Sequence, residues 1–246
     1  QRPWREARAW AAPVDVVGDG RDVVLFADTF NRSFEPDNLA AARRVLEACG
    51  YRIHAVAPAD GGRPLCCGRT FLAAGQVDEA RKEARRTIET LAPFAAKGAR
   101  IVGLEPSCIM TFRDEHGAML PEAAAGPLAT VALMIEEALA ADLDTGLIAP
   151  SFRDMGGRVA HLHGHCHQKS FGVMGSVERV LGAVPGLTVK PIESSCCGMA
   201  GAFGYGVETI ATSKAMAAAS SLAAPNSSTS SKPTRFVRIA RTPATF

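Results

Sequence analysis

Pro64-Leu65-Cys66-Cys67-Gly68 returns late in the chain as Ser195-Cys196-Cys197-Gly198-Met199, and the surroundings of the two copies decide the fold. Ahead of the first copy, Asp22–Asp28 (DVVLFAD) is a short apolar run of the kind a buried parallel strand needs. Asn38–Ala48 then places Leu39, Ala42, Val45 and Leu46 at helical spacing, and Gly50 stops that helix. Tyr51–Ala57 reads as a second strand. Beyond the motif, Val77–Ala96 reads as a long amphipathic helix and Arg100–Leu104 as a third strand. The second copy follows the same order: strand Arg158–His163, helix Val173–Gly182, strand Leu187–Ile192, motif, helix Glu208–Leu222. Strand, helix, strand, Cys-Cys-Gly, helix, occurring twice, predicts an α/β protein of two pseudo-duplicated lobes, each a small parallel sheet with flanking helices.

The predicted organisation is an N-terminal linker (1–20), a first lobe (21–120), a connector helix and loop (121–157), a second lobe (158–224) and a disordered tail (225–246). The connector helix is expected over Leu128–Ala140. The second lobe looks incomplete. Its third strand should fall near residues 232–240, where Phe236–Ala240 fits, but no cysteine follows. The chain does not begin with Met, so we expect a piece of a longer polypeptide.

A net charge of +2 gives no field that points to nucleic acid. No run of about 18 apolar residues is present to span a bilayer, and no secretory pattern opens the chain. The seven cysteines are Cys49, Cys66, Cys67, Cys108, Cys166, Cys196 and Cys197. An odd count argues against a disulfide framework. Adjacent Cα atoms sit about 3.8 Å apart, whereas disulfides prefer roughly 4.4–6.8 Å. Reduced thiols that ligate metal, in a cytoplasmic setting, are the easier reading.

Each Cys-Cys-Gly is expected at the carboxyl end of a strand and before a helix, where ligands of open parallel sheets gather and helix N-termini favour thiolate. Gly68 and Gly198 let the backbone approach a bulky centre. Cys108 and Cys166 are expected to end strands and to reach the same edges, so that Cys66, Cys67, Cys108, Cys166, Cys196 and Cys197 form the candidate metal set. Soft thiolates select iron–sulfur clusters, zinc or Cu(I). The alternative is that they are buried small hydrophobes, which is our reading for Cys49 at a helix end. His161, His163, His165 and His167 alternate, so on a strand they would share a face. They are candidates for metal ligation, proton carriage or hydrogen bonding to cluster sulfur, or else shape a turn. Gln168 and Lys169 are candidate partners in that loop. Met199–Gly206 is a small-residue loop that could cradle a phosphate or let the backbone approach a metal centre. Asp78, Glu79, Arg81, Lys82 and Arg85 read as a solvated helix face.

The stretches DTFNRSFEPDN, PLCCGRTFLAAGQVDEAR, GLEPSCIMTFRDE, HGHCHQKS and CCGMAGAFGYGVE, over roughly residues 22–223, resemble the cysteine-rich, or Cys-Cys-Gly, domain family. That family is shared by heterodisulfide reductase subunits, the glycolate oxidase iron–sulfur subunit and the small subunit of anaerobic glycerol-3-phosphate dehydrogenase. The resemblance is strong to the C-terminal part of large FAD-linked oxidases of the D-lactate dehydrogenase type. PWREARAW looks like the linker after a ferredoxin-like segment. The resemblance implies an iron–sulfur centre, 4Fe-4S, in an electron-transfer domain. FAD would sit on a partner dehydrogenase module, and electrons would pass towards a quinone or membrane acceptor, with the domain cytoplasmic or peripheral at the membrane. On this chain alone it implies no catalytic residue. The family's fullest motif has a lone Cys, a Cys-Cys and a Cys-x-x-Cys in each lobe. Asp28 stands where the first lobe's lone Cys is expected and Glu105 at the first position of its last pair, with Cys108 at the second. Alternatives are a zinc-holding or metal-free scaffold for assembling such a complex, and heterodisulfide-reductase-like thiol chemistry.

Overall fold

The computed structural model describes residues 21–194, 196–199 and 203–222. The expected linker (1–20), the tail with Phe236–Ala240, and Ser195 and Ala200–Ala202 of the second motif and its loop lie outside the described residues. The chain divides into two units, 1–150 and 151–246.

The first unit is built from β1 (Asp22–Leu25), α1 (Thr29–Ser33), α2 (Pro36–Ala48), β2 (Arg52–His54), α3 (Arg69–Ala73) and α4 (Val77–Ala95), followed by β3 (Arg100–Gly103), α5 (Pro106–Arg113), α6 (Glu115–Met119), α7 (Glu122–Val131), β4 (Ala132–Met134) and α8 (Ile135–Asp144). Its sheet runs β2-β1-β3-β4, with every pairing parallel. Val23, Val24, Ile101 and Val102 are fully buried, which is why these strands read as continuous apolar runs. Leu39 and Leu46 of α2, Leu91 of α4, and Ile109 and Phe112 of α5 complete the core. The chain steps from β1 outward to β2, then crosses back past β1 to β3. The switch point therefore lies between β1 and β3, where open parallel sheets offer their ligand crevice. The loops that carry Asp28 and Glu105 leave the sheet there.

The second unit contains β5 (Arg158–Leu162), α9 (Cys166–Ser170), α10 (Met174–Gly182), β6 (Leu187–Pro191), a 3-10 turn (Phe203–Tyr205) and α11 (Ile210–Leu222). β5 and β6 pair in parallel from Arg158–Leu187 to Leu162–Pro191. The α/β, two-lobed reading thus stands.

Four details differ from expectation. The helix expected over Leu128–Ala140 is two helices flanking β4; an apolar three-residue strand between helices carries no alternation to mark it. The first Cys-Cys-Gly does not sit at a strand end, because the loop 55–65 separates it from β2. Cys108 lies within α5 and Cys166 opens α9, so neither ends a strand. The histidines share no strand face either. Only His161 is in β5, His165 caps α9 and His167 lies within it.

Candidate metal centre at the Cys-Cys-Gly turns

The two motifs are built alike. Gly68 has φ +86° and Gly198 φ +82°, a left-handed conformation open chiefly to glycine. A Cβ on Gly68 would lie 2.9 Å from the Ala80 carbonyl oxygen, and one on Gly198 2.6 Å from that of Ser213. Ala80 and Ser213 each occupy the fourth position of a helix further along the chain, α4 or α11. In both turns the glycine N–H points at the sulfur of the first cysteine, at 3.5 Å from Gly68 to Cys66 and 3.3 Å from Gly198 to Cys196.

The short helices before the motifs also match. α1 is capped by Asp28 and α9 by His165, each three residues beyond its strand. Asp28 Oδ1 accepts from the Phe30 and Asn31 amides at 2.9 Å, and Oδ2 from Asn31 Nδ2 at 2.7 Å. His165 Nδ1 accepts from the His167 amide at 3.2 Å, while Gln168 Oε1 accepts from the His165 N–H, also at 3.2 Å. By this register Asp28 answers to His165, and the counterpart of Cys166 is Thr29, the next residue. The contacts agree. The Thr29 hydroxyl donates to the Cys66 sulfur, and the Cys166 thiol donates to Cys196.

In the first unit a relay continues from Cys66 to Cys67 and from Cys67 to Cys108, whose sulfurs are 3.3 Å apart. Donating to Cys67, and then burial, raise the Cys66 thiol; donating to Cys108 raises Cys67. The bond from Cys67 favours the Cys108 thiolate, but burial and the Asp28 and Glu105 charges push that thiol up on balance. Burial likewise raises Asp28 and Glu105 above the usual carboxylate range. Glu105 caps α5 by accepting from the Ser107 amide at 3.2 Å. Thr87 donates to the Cys66 carbonyl at 2.8 Å, and His116 Nε2 lies 2.9 Å from the Cys67 carbonyl. His116 is wholly buried, which lowers its pKa. Nothing in the sequence marks either residue as part of the site, since each lies far along the chain from the motif.

In the second unit Cys166 is exposed, and Cys196 and Cys197 are half-buried. The Gly198 N–H, and then the bond from Cys166, hold the Cys196 thiol below its ordinary value, whereas burial and its bond to Cys196 raise Cys166. Lys169 Nζ donates to the Ser194 carbonyl at 2.5 Å, just ahead of the motif. Burial lowers His163 and His165. His163 Nε2 is buried with no hydrogen-bond partner among the described residues. Also among these, no three His, Cys, Asp or Glu side chains stand together in metal-binding geometry.

A family model described as the cysteine-rich domain matches residues 29–113, the stretch from Thr29 through α5. Lactate utilization protein A of Exiguobacterium sp. strain AT1b is 31% identical over 193 residues, 74% of this chain and 73% of that protein. This chain belongs to the cysteine-rich domain family. One of the subunits of anaerobic glycerol-3-phosphate dehydrogenase from Escherichia coli K12 is 28% identical over 176 residues, 71% of this chain and 42% of the relative. D-2-hydroxyglutarate dehydrogenase of Pseudomonas putida KT2440 is 29% identical over 198 residues, 79% of this chain and 18% of that enzyme. The cysteine-rich chain thus spans less than half the length of those two relatives.

Proposed function

We propose that this chain is the iron–sulfur electron-transfer domain of an oxidoreductase. On this reading a flavin on a partner module oxidises a 2-hydroxy acid or a related polyol phosphate, and a ferredoxin-like segment and this domain hand the electrons to a quinone-type acceptor. The assembly would be cytoplasmic or peripheral at the membrane; no described helix is long and apolar enough to cross one. The observation that carries the reading is the pair of similarly built turns, which bring thiols together pairwise in each unit: Cys66 with Cys67 and Cys67 with Cys108, and Cys166 with Cys196, with the Cys197 N–H on the Cys166 sulfur. Soft thiolates, a glycine that admits close backbone approach and an N–H aimed at sulfur suit an iron–sulfur centre.

The two sets are not equally suited. In the first unit Thr29 replaces a thiol, Asp28 and Glu105 serve as helix caps, and Cys67 and Cys108 are each only 3% exposed. The second set is accessible, so we assign the centre to Cys166, Cys196 and Cys197, with His163 Nε2 as the fourth donor. When bound, the cluster would supply one-electron redox chemistry. Cys166, Cys196 and Cys197 would ligate its iron, with the Gly198 N–H aimed at the Cys196 sulfur and the Lys169 charge favouring that thiolate.

Anaerobic purification or reconstitution should give a brown protein with iron and sulfide in similar amounts, bleached by dithionite and restored by a quinone analogue. Three thiolates with one histidine also suit structural zinc. A colourless chain with about one zinc, inert to dithionite, would replace electron transfer by the scaffold reading.

A further inference from the structure

The two short helices align residue by residue beyond their caps: Thr29-Phe30-Asn31-Arg32-Ser33 against Cys166-His167-Gln168-Lys169-Ser170. Arg32 is therefore the counterpart of Lys169. Lys169 holds the carbonyl of Ser194, two residues before Cys196. The corresponding carbonyl in the first unit is that of Pro64, and Arg86 of α4 has taken it, at 3.3 Å. Arg86 also bonds the Arg63 carbonyl and pairs with Asp60 at 2.5 Å. The Arg32 guanidinium is left without a hydrogen bond or salt bridge among the described residues. The Asp28 charge acts on it, but both Asp28 carboxylate oxygens are already engaged. Arg63 is committed to Glu83 at 2.5 Å.

Arg32 instead lines a cavity of about 250 Å³, together with Thr29, Thr70 and Cys66. A second cavity of about 210 Å³ also has Arg32 and Pro64 in its wall, and there Phe26, Val56 and Leu65 make it apolar. This second cavity lies at the carboxyl ends of β1 and β2. A half-buried guanidinium with no partner among the described residues, standing beside an apolar wall, has the chemistry to take a carboxylate. We propose that the second, apolar cavity binds a small carboxylate carried on a short apolar body, the carboxylate on Arg32 and the body against Phe26, Val56 and Leu65. The site needs no metal, so it stands or falls apart from the electron-transfer reading.

The test is titration of the full chain with butyrate, butyramide and inorganic phosphate, followed by calorimetry and the Arg32 side-chain NMR signal. Butyrate should bind saturably and shift that signal, while butyramide should not bind. Arg32→Gln should weaken butyrate at least tenfold, and Arg32→Lys should retain most of the affinity; matching melting curves would show that both variants fold. Absence of butyrate binding, equal binding to Arg32→Gln, or equal binding of butyramide would overturn the proposal. Phosphate binding as tightly as butyrate would overturn the role of the apolar wall.

Discussion

At each Cys-Cys-Gly turn the glycine N–H lies on a cysteine sulfur, and a helix carbonyl occupies the space that a Cβ would need. A side chain in the left-handed region costs roughly 1–2 kcal/mol before any clash. Gly68→Ala should therefore lower stability by about 2 kcal/mol or more, read by denaturant unfolding. Gly198→Ala, with the closer carbonyl, should lower it at least as much. A neutral effect at either would show that the turn relaxes freely. The thiols should also differ in reactivity, because thiolate and exposure set the rate. Native alkylation followed by mass spectrometry should label Cys166 and Cys196 well before Cys67 and Cys108; the reverse order would contradict the burial of the first set. The motif cysteines were legible because they are contiguous and repeated. Thr29 and Arg32 were not. Their meaning comes from matching two five-residue helices, which are too short to show periodicity, and the resemblance placed the missing thiol one residue away at Asp28.

Among the elements, the long helices and strands β1, β3, β5 and β6 were readable to within a few residues; burial leaves continuous apolar runs in β1 and β3, whereas β5 and β6, largely half-buried or exposed, were legible from their place in the repeated order of elements. β4 was hidden by its length. Two side-chain links between elements were also invisible from sequence. Tyr51, just before β2, donates to Asp142 of α8 at 2.5 Å, and Asp142 is 1% exposed. Hydrogen bonds to buried charges are worth roughly 1.5–3 kcal/mol, so Tyr51→Phe should lose stability in that range by denaturant titration, and no change would mean that Arg21 and Arg100 suffice for Asp142. The second link is Asp60 to Arg86, whose guanidinium lowers the Asp60 carboxyl to about 2. A depressed folded-state pKa gives stability that is present above the ordinary value of 3.8 and is lost as pH falls towards 2. Asp60→Asn should flatten the decline of melting temperature in that window, and an unchanged profile would show that the Asp60 pair carries none of it.

At the scale of the molecule, the duplication is real but uneven. The first unit has a four-stranded sheet and most of the buried hydrophobic residues, whereas the second has a two-stranded sheet and few, among them Val173, Val177 and Ile192. A ligand that binds only the folded form stabilises the part that holds it. Loading with iron and sulfide should therefore slow amide exchange in β5 and β6 and leave β1 and β3 nearly unchanged. Protection gained only in the first unit would place the centre there instead. The most direct test is the iron and sulfide bound per chain by two anaerobically reconstituted variants, Cys196→Ser and Cys67→Ser. Cys196→Ser should lose the cluster and its electron paramagnetic resonance signal, while Cys67→Ser should keep both at wild-type level. Full retention by Cys196→Ser would contradict a centre held by the second unit.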